Sequence, residues 1–184
     1  MPKARILALS LLAAGLAGRV DAADTCSARG QMQDQSFRLD ACAIAWYPGQ
    51  NSVAIWFTEK PLPAATLDTF HRGSYADLKG TAMSFAFCPG GGKAKADPKA
   101  VKDVEAAVRH ADNPMLQQNW LFEPGDKGIR IEKLSGELKP GGRLAGRITV
   151  KTTLDQGQAY SWEADFDVAL PSQTAAAGLS CGVD

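Results

Sequence analysis

The chain has 184 residues, with 20 basic and 20 acidic side chains, two histidines and four cysteines. Balanced charge excludes nucleic-acid binding driven by bulk electrostatics. The length bounds the protein to one domain around one core.

In chain order, Lys3 and Arg5 precede an apolar run from Ile6 to Leu16, followed by small residues and Val20-Asp21-Ala22. This is the pattern of a secretory signal peptide over residues 1–22, with a small-x-small cleavage site. The apolar run is too short for a membrane span, and no second long one follows. Cleavage would start the mature chain near Ala23 and leave 17 basic and 19 acidic residues in one β-rich domain, 23–184, periplasmic or secreted. Cys26 follows Ala23-Asp24-Thr25, which lacks the small and aliphatic residues of a lipoprotein box, so no lipid anchor is expected. Cys26, Cys42, Cys88 and Cys181 form no CxxC and no zinc-spaced cluster with histidine, so two structural disulfides are expected. Of the three possible pairings, Cys26–Cys42 with Cys88–Cys181 is favoured, the first spanning a hairpin and the second tying down the C-terminus.

ARGQMQ reads as a first strand, and SFRLDACAIAWY and SVAIWFTEKPL as two more joined by Pro48-Gly49-Gln50-Asn51. Trp46 and Trp56 differ in parity from Tyr47 and Phe57, so this region is expected to be buried on both faces, as between a sheet and a helix. The alternative is tryptophans exposed at a partner surface. A short helix is expected over about 63–72, starting at Pro63 and carrying Leu67 and Phe70. TAMSFAFC, with Met83, Phe85 and Phe87 alternating, is a further strand. The FCPGGGKAKADP that follows is no phosphate cradle: alignment on Gly92-Lys93 puts Phe87 where the first glycine belongs and Ala94 where a hydroxyl belongs. It reads instead as a mobile surface loop, with Asp97-Pro98 capping a helix over about 97–111. Val101, Val104 and Val108 would form its apolar stripe, and Asn113-Pro114 its stop.

IRIEKLSGEL is the next strand, turned by Lys139-Pro140-Gly141-Gly142 into the segment carrying Leu144, Gly146, Ile148 and Val150. Matching apolar faces puts Leu138 opposite Leu144, Gly136 opposite Gly146 and Leu134 opposite Ile148, with a bulge near Glu132-Lys133. The facing glycines would leave a dent for Trp120 or Phe122 to fill. AYSWEADFDVALP shows the clearest alternation, Tyr160 to Leu170 on one face and Ser161 to Ala169 on the other. Pairing the apolar faces of this hairpin sets Val150 opposite Ala164, Ile148 opposite Phe166, Lys151 opposite Glu163 and Arg147 opposite Asp167. Glu163, Asp165 and Asp167, about 7 Å apart on one face, resemble a calcium ladder but acquire basic partners in that register, so a solvated charged face is expected.

The segments 28–63 and 134–171, with a glycine-bearing hairpin, an alanine-rich strand and a final F-D-V-A-L-P, resemble a loose group of secreted bacterial β-rich envelope proteins. The group has no assigned function, so the resemblance implies export and β architecture and carries over no site residues. The fold class expected is mainly β (α+β): an antiparallel sheet, sandwich or partly closed barrel with the two helical pieces.

No G-x-S-x-G is present, and His71, beside Arg72, and His110, at the end of the expected helix, read as surface or capping residues. No HxH, HExxH, Met/His cluster or calcium loop occurs, so no catalytic residue, metal or cofactor is assigned. The expectation is a non-enzymatic periplasmic binding module, of the inhibitor or toxin-neutralising kind, with another envelope protein as partner. The alternatives are an envelope-polymer hydrolase using carboxylates and a purely structural envelope protein.

Overall fold

The computed structural model describes residues 23–32, 35–48, 52–62, 79–90, 94–110, 118–122, 128–153 and 159–171. Among these the strands are β1 (Thr25–Met32), β2 (Gln35–Leu39), β3 (Ala41–Tyr47), β4 (Ser52–Thr58), β5 (Thr81–Cys88), β6 (Lys102–His110), β7 (Gln118–Phe122), β8 (Ile129–Gly136), β9 (Arg143–Thr153) and β10 (Ala159–Ala169). They form two five-stranded antiparallel sheets, ordered β2-β1-β10-β9-β8 and β3-β4-β5-β6-β7, neither closed into a barrel.

The sheets share one core. Tyr160, Trp162, Ala164, Phe166 and Val168 of β10 are all buried, as their alternation requires, together with Met83, Phe85 and Phe87 of β5. β10 and β5 are the middle strands of their sheets, and they meet ring to ring: Phe85 lies 5.7 Å from Trp162, and Phe87 lies 6.5 Å from Phe166. The second sheet is also covered on its outer side, where Ala45, Tyr47, Ala54, Trp56 and Ala82 form a second cluster against Leu62. Trp46 and Trp56 are therefore both buried, on opposite faces, as expected. The short helix expected over 63–72, including His71, lies outside the described residues.

The helix expected over 97–111 is a strand. Asp97 does cap a turn, its Oδ1 accepting from Lys99 N at 2.9 Å, but that turn is the single 3-10 turn Pro98–Ala100. Val104 and Val108 are four residues apart, a spacing equal to about one helical turn and to two strand repeats. Ala106 between them settles the period, because all three are buried and face Phe87, Phe85 and Met83 of β5. β-Branched valines favour that choice. His110 consequently ends a strand opposite Thr81, and the helix-dipole account of it falls.

SFRLDACAIAWY is two strands in two sheets: β2 pairs with β1, and β3 with β4, with Asp40 at the crossing. Cys26 and Cys42 are bonded, as expected, and the link encloses the β1–β2 hairpin while joining β1 of one sheet to β3 of the other. Cys88 is also disulfide-bonded, while Cys181 lies outside the described residues.

Two registers differ from expectation by an even step, which preserves the faces. β10 pairs with β9 so that Trp162 meets Val150, Ala164 meets Ile148 and Phe166 meets Gly146. Gly136 lies opposite Leu144, so the two glycines do not face one another. The space over Gly146 is taken by Phe166, whose Cζ would stand 2.7 Å from an added Cβ; the side chains of Trp120 and Phe122, expected there, lie outside what the structure describes. The expected bulge is present: pairing shifts between Glu132 and Ser135, with Lys133 at φ 54°. The turn at Lys139–Gly142 also holds, Gly142 N donating to Lys139 O at 2.9 Å with Gly141 at φ 68°.

The Cys26–Cys42 link closes a separation of 16 residues. Replacing both cysteines by alanine should lower unfolding free energy by about 3 kcal/mol. The Phe166→Ala change, which empties the space over Gly146, should cost about 3–5 kcal/mol. Denaturant titration of each variant measures both, and a Phe166→Ala loss below about 1 kcal/mol would contradict the packing described.

Candidate functional site

The charged side of the molecule is the outer face of the first sheet. Ser161, Glu163, Asp165 and Asp167 of β10 point outward between Gln31, Arg29, Ser27 and Thr25 of β1 and, on the other flank, Lys151, Thr149, Arg147 and Ala145 of β9. The three carboxylates are indeed ion-paired, but with different partners from those expected. Glu163 is gripped from both sides, Oε1 by Arg29 and Oε2 by Arg147. Asp165 takes the other arm of Arg147, its Oδ2 3.3 Å from Nη1. Asp167 accepts from Arg143 Nε at 2.8 Å, and Arg143 also reaches Asp24 at 3.6 Å.

The two-residue difference in register produces this network. Arg147 falls opposite Asp165 rather than Asp167, and from there it reaches the diagonal neighbour Glu163. Arg29 enters from β1, more than 130 residues away in sequence. Hydrogen bonding from Arg29, desolvation opposing it, and then the Arg147 contact hold the Glu163 carboxyl below its ordinary range. A carboxylate so depressed and so occupied is ionised at neutral pH, the reverse of a general acid with a raised pKa. A cation would have to displace two guanidinium groups to reach it. Among the described residues, no three His, Cys, Asp or Glu side chains sit together as a metal cluster.

Among the described residues, recesses open on this face. One, about 430 Å³, is lined by Gln31, Ser36, Thr149, Lys151 and Ser161, and also by Phe37 and Trp162. A smaller one of about 190 Å³ adjoins it over Gly128, Arg130 and Glu132 and shares Thr149 and Lys151. A third, about 460 Å³, is lined by Ser27, Lys133, Arg147, Asp165 and Asp167, and also by Cys26. Beneath this face Gly30 makes room for two rings on the core side: a Cβ there would stand 2.5 Å from Trp162 Cβ and 2.9 Å from Phe37 Cζ, and these rings meet edge to face.

The glycine-rich loop after β5 is described only in part. Residues 91–93 lie outside the described range, and the segment after them is fastened rather than free. Leu138 N donates to Ala94 O at 2.9 Å, and Ala96 N to Gly136 O at 3.1 Å. Comparison with protein-family models, with curated proteins and with solved structures finds no significant match. No helix among the described residues is long and apolar enough to cross a membrane, and disulfides of this kind belong to an oxidising compartment.

The lowered Glu163 pKa fixes a sign. Its pairing stabilises the fold above the unfolded carboxyl pKa, about 4.5, and that contribution disappears as pH falls below this value. Glu163→Gln should therefore melt lower than wild type at neutral pH and converge toward it on acidification, followed by thermal melts between about pH 3 and about pH 7. Millimolar calcium should leave the wild-type melting temperature unchanged, and a calcium-dependent rise would show that the carboxylates are metal ligands after all.

Proposed function

We propose that this protein is a non-enzymatic binding module acting in the periplasm or outside the cell, which recognises another envelope protein through the outer face of its first sheet. The observation that carries the reading is the state of the carboxylates on that face: Glu163, Asp165 and Asp167 are each held by arginine, beside open recesses. A hydrolase using two carboxylates needs one of them protonated and free to donate, whereas Glu163 is shifted the opposite way. The partner surface is a polar one. Trp46, Trp56 and Trp162 are buried and unavailable as docking aromatics. The signal-peptide pattern of residues 1–22, the disulfides and the resemblance to exported β-rich proteins support the compartment. Inhibition of an enzyme or neutralisation of a toxin is the form of binding we favour.

The full-length precursor, expressed in a Gram-negative host and fractionated, should yield a periplasmic chain whose N-terminus by mass spectrometry lies near Ala23. The mature protein, immobilised and exposed to envelope extract, should retain a specific protein. Retention of none, together with turnover of an envelope polysaccharide, would replace this reading by the hydrolase.

A further inference from the structure

Charge on the outer face of the first sheet is unevenly matched. Toward the Asp167 end each arginine is engaged: Arg143 holds Asp167 and Asp24, and Arg147 holds Asp165 and Glu163. At the other end the register sets Thr149 between Glu163 of β10 and Arg130 of β8, and Lys151 follows on the same face. Arg130 and Lys151 are exposed, and neither has an ion pair among the described residues. Of the nearby carboxylates, Glu163 is taken by Arg29 and Arg147, while Glu132 lines the smaller recess beside Arg130 and Lys151, where the two cations outnumber it.

Because the recess over Gln31 and Ser161 and the recess over Arg130 share Thr149 and Lys151, they form one trough across the strands. From Ser36 on β2 to Arg130 on β8 it crosses four interstrand gaps, about 19 Å, the span of about six residues of extended chain. Its aromatic residues do not offer a ring face to a sugar: Trp162 is buried, and Phe37 meets it edge to face. Besides its charged side chains the trough is lined by short hydroxyls and an amide, exposed at Ser36, Gln31 and Ser161 and half-buried at Thr149, which suit the backbone of a peptide.

We propose that this trough binds an extended acidic segment of the partner protein, with carboxylates set against Arg130 and Lys151, the charge-matched mode of acidic-motif recognition. The proposal rests on the reading of the protein as a binding module. The probe is a fluorescently labelled octaglutamate peptide titrated with the mature protein, read by anisotropy at about 0.02 M and about 0.15 M salt. Saturable binding is expected, weaker at the higher salt and about tenfold weaker in R130E/K151E. The control K79E/K99E, which changes net charge equally at residues outside the trough, should bind as wild type. All four positions are exposed, so melting curves should stay near wild type and confirm folding. Absence of binding at low salt, equal weakening in both variants, or stronger competition by a polyuronate than by unlabelled octaglutamate would overturn the proposal. A partner retained equally by wild type and R130E/K151E would overturn the trough while leaving the binding-module reading intact. Failure to retain any partner would remove that reading itself.

Discussion

Everything in this fold depends on two aromatic contacts between the middle strands of its sheets. Trp162 and Phe166 of β10 meet Phe85 and Phe87 of β5, and this places the middle strands of the two sheets back to back at the centre of the core. Aromatic pairs at such separations add to the area they bury, and in a protein with two open-edged sheets they also fix how the sheets face. Glycines admit the rings: Gly146 leaves room for Phe166, and Gly30 leaves room for Phe37 against Trp162. With the inner face of β10 committed to rings, its outer face carries the polar half of the alternation, which is why the charged network appears where it does.

Much of this was legible in the sequence, and the failures have physical causes. Alternation in β10 gave its inner and outer faces correctly, since burial on one side leaves no other parity. It could not give the register, because a slip of two residues keeps every side chain on its face and changes only who stands opposite whom. The site depends on that detail. Arg147 reaches Glu163 only in the observed register, and Arg29 arrives from a strand whose pairing with β10 no local pattern announces. The helix expected after Asp97 failed for a related reason: an apolar pair four residues apart satisfies both periods, and the glycine-rich approach and the N-cap favoured the wrong one. The crossing at Asp40 was also hidden, since a strand-like stretch with no glycine or proline between Ser36 and Tyr47 reads as a single strand until its two halves are assigned to different sheets.

The two margins of the first sheet are treated differently. On the β8 side, pairing is interrupted by the bulge at Lys133, and the segment 94–97 is bonded across the strand's exit, with Lys95 bridging to Glu137. Such features discourage further strands from adding to an edge. The polar outer face is left as the broad accessible surface of this sheet, and the arginines hold its carboxylates in place as a fixed pattern of charge.

The pairing of β1 with β10 has a consequence for how the chain matures. A strand near the N-terminus has to wait for one that is synthesised after residue 158 before its sheet can close, and long-range pairing of this kind is slow. During that interval β1 has β2 as a neighbour and an open flank where β10 will later insert. The bond between Cys26 and Cys42 involves only residues made early, so it can hold β1 against β3 while the rest of the chain is still emerging. The same covalent link that joins two finished sheets thus serves as a placeholder, keeping an incomplete edge next to its own second layer and away from neighbouring chains until the last strand arrives.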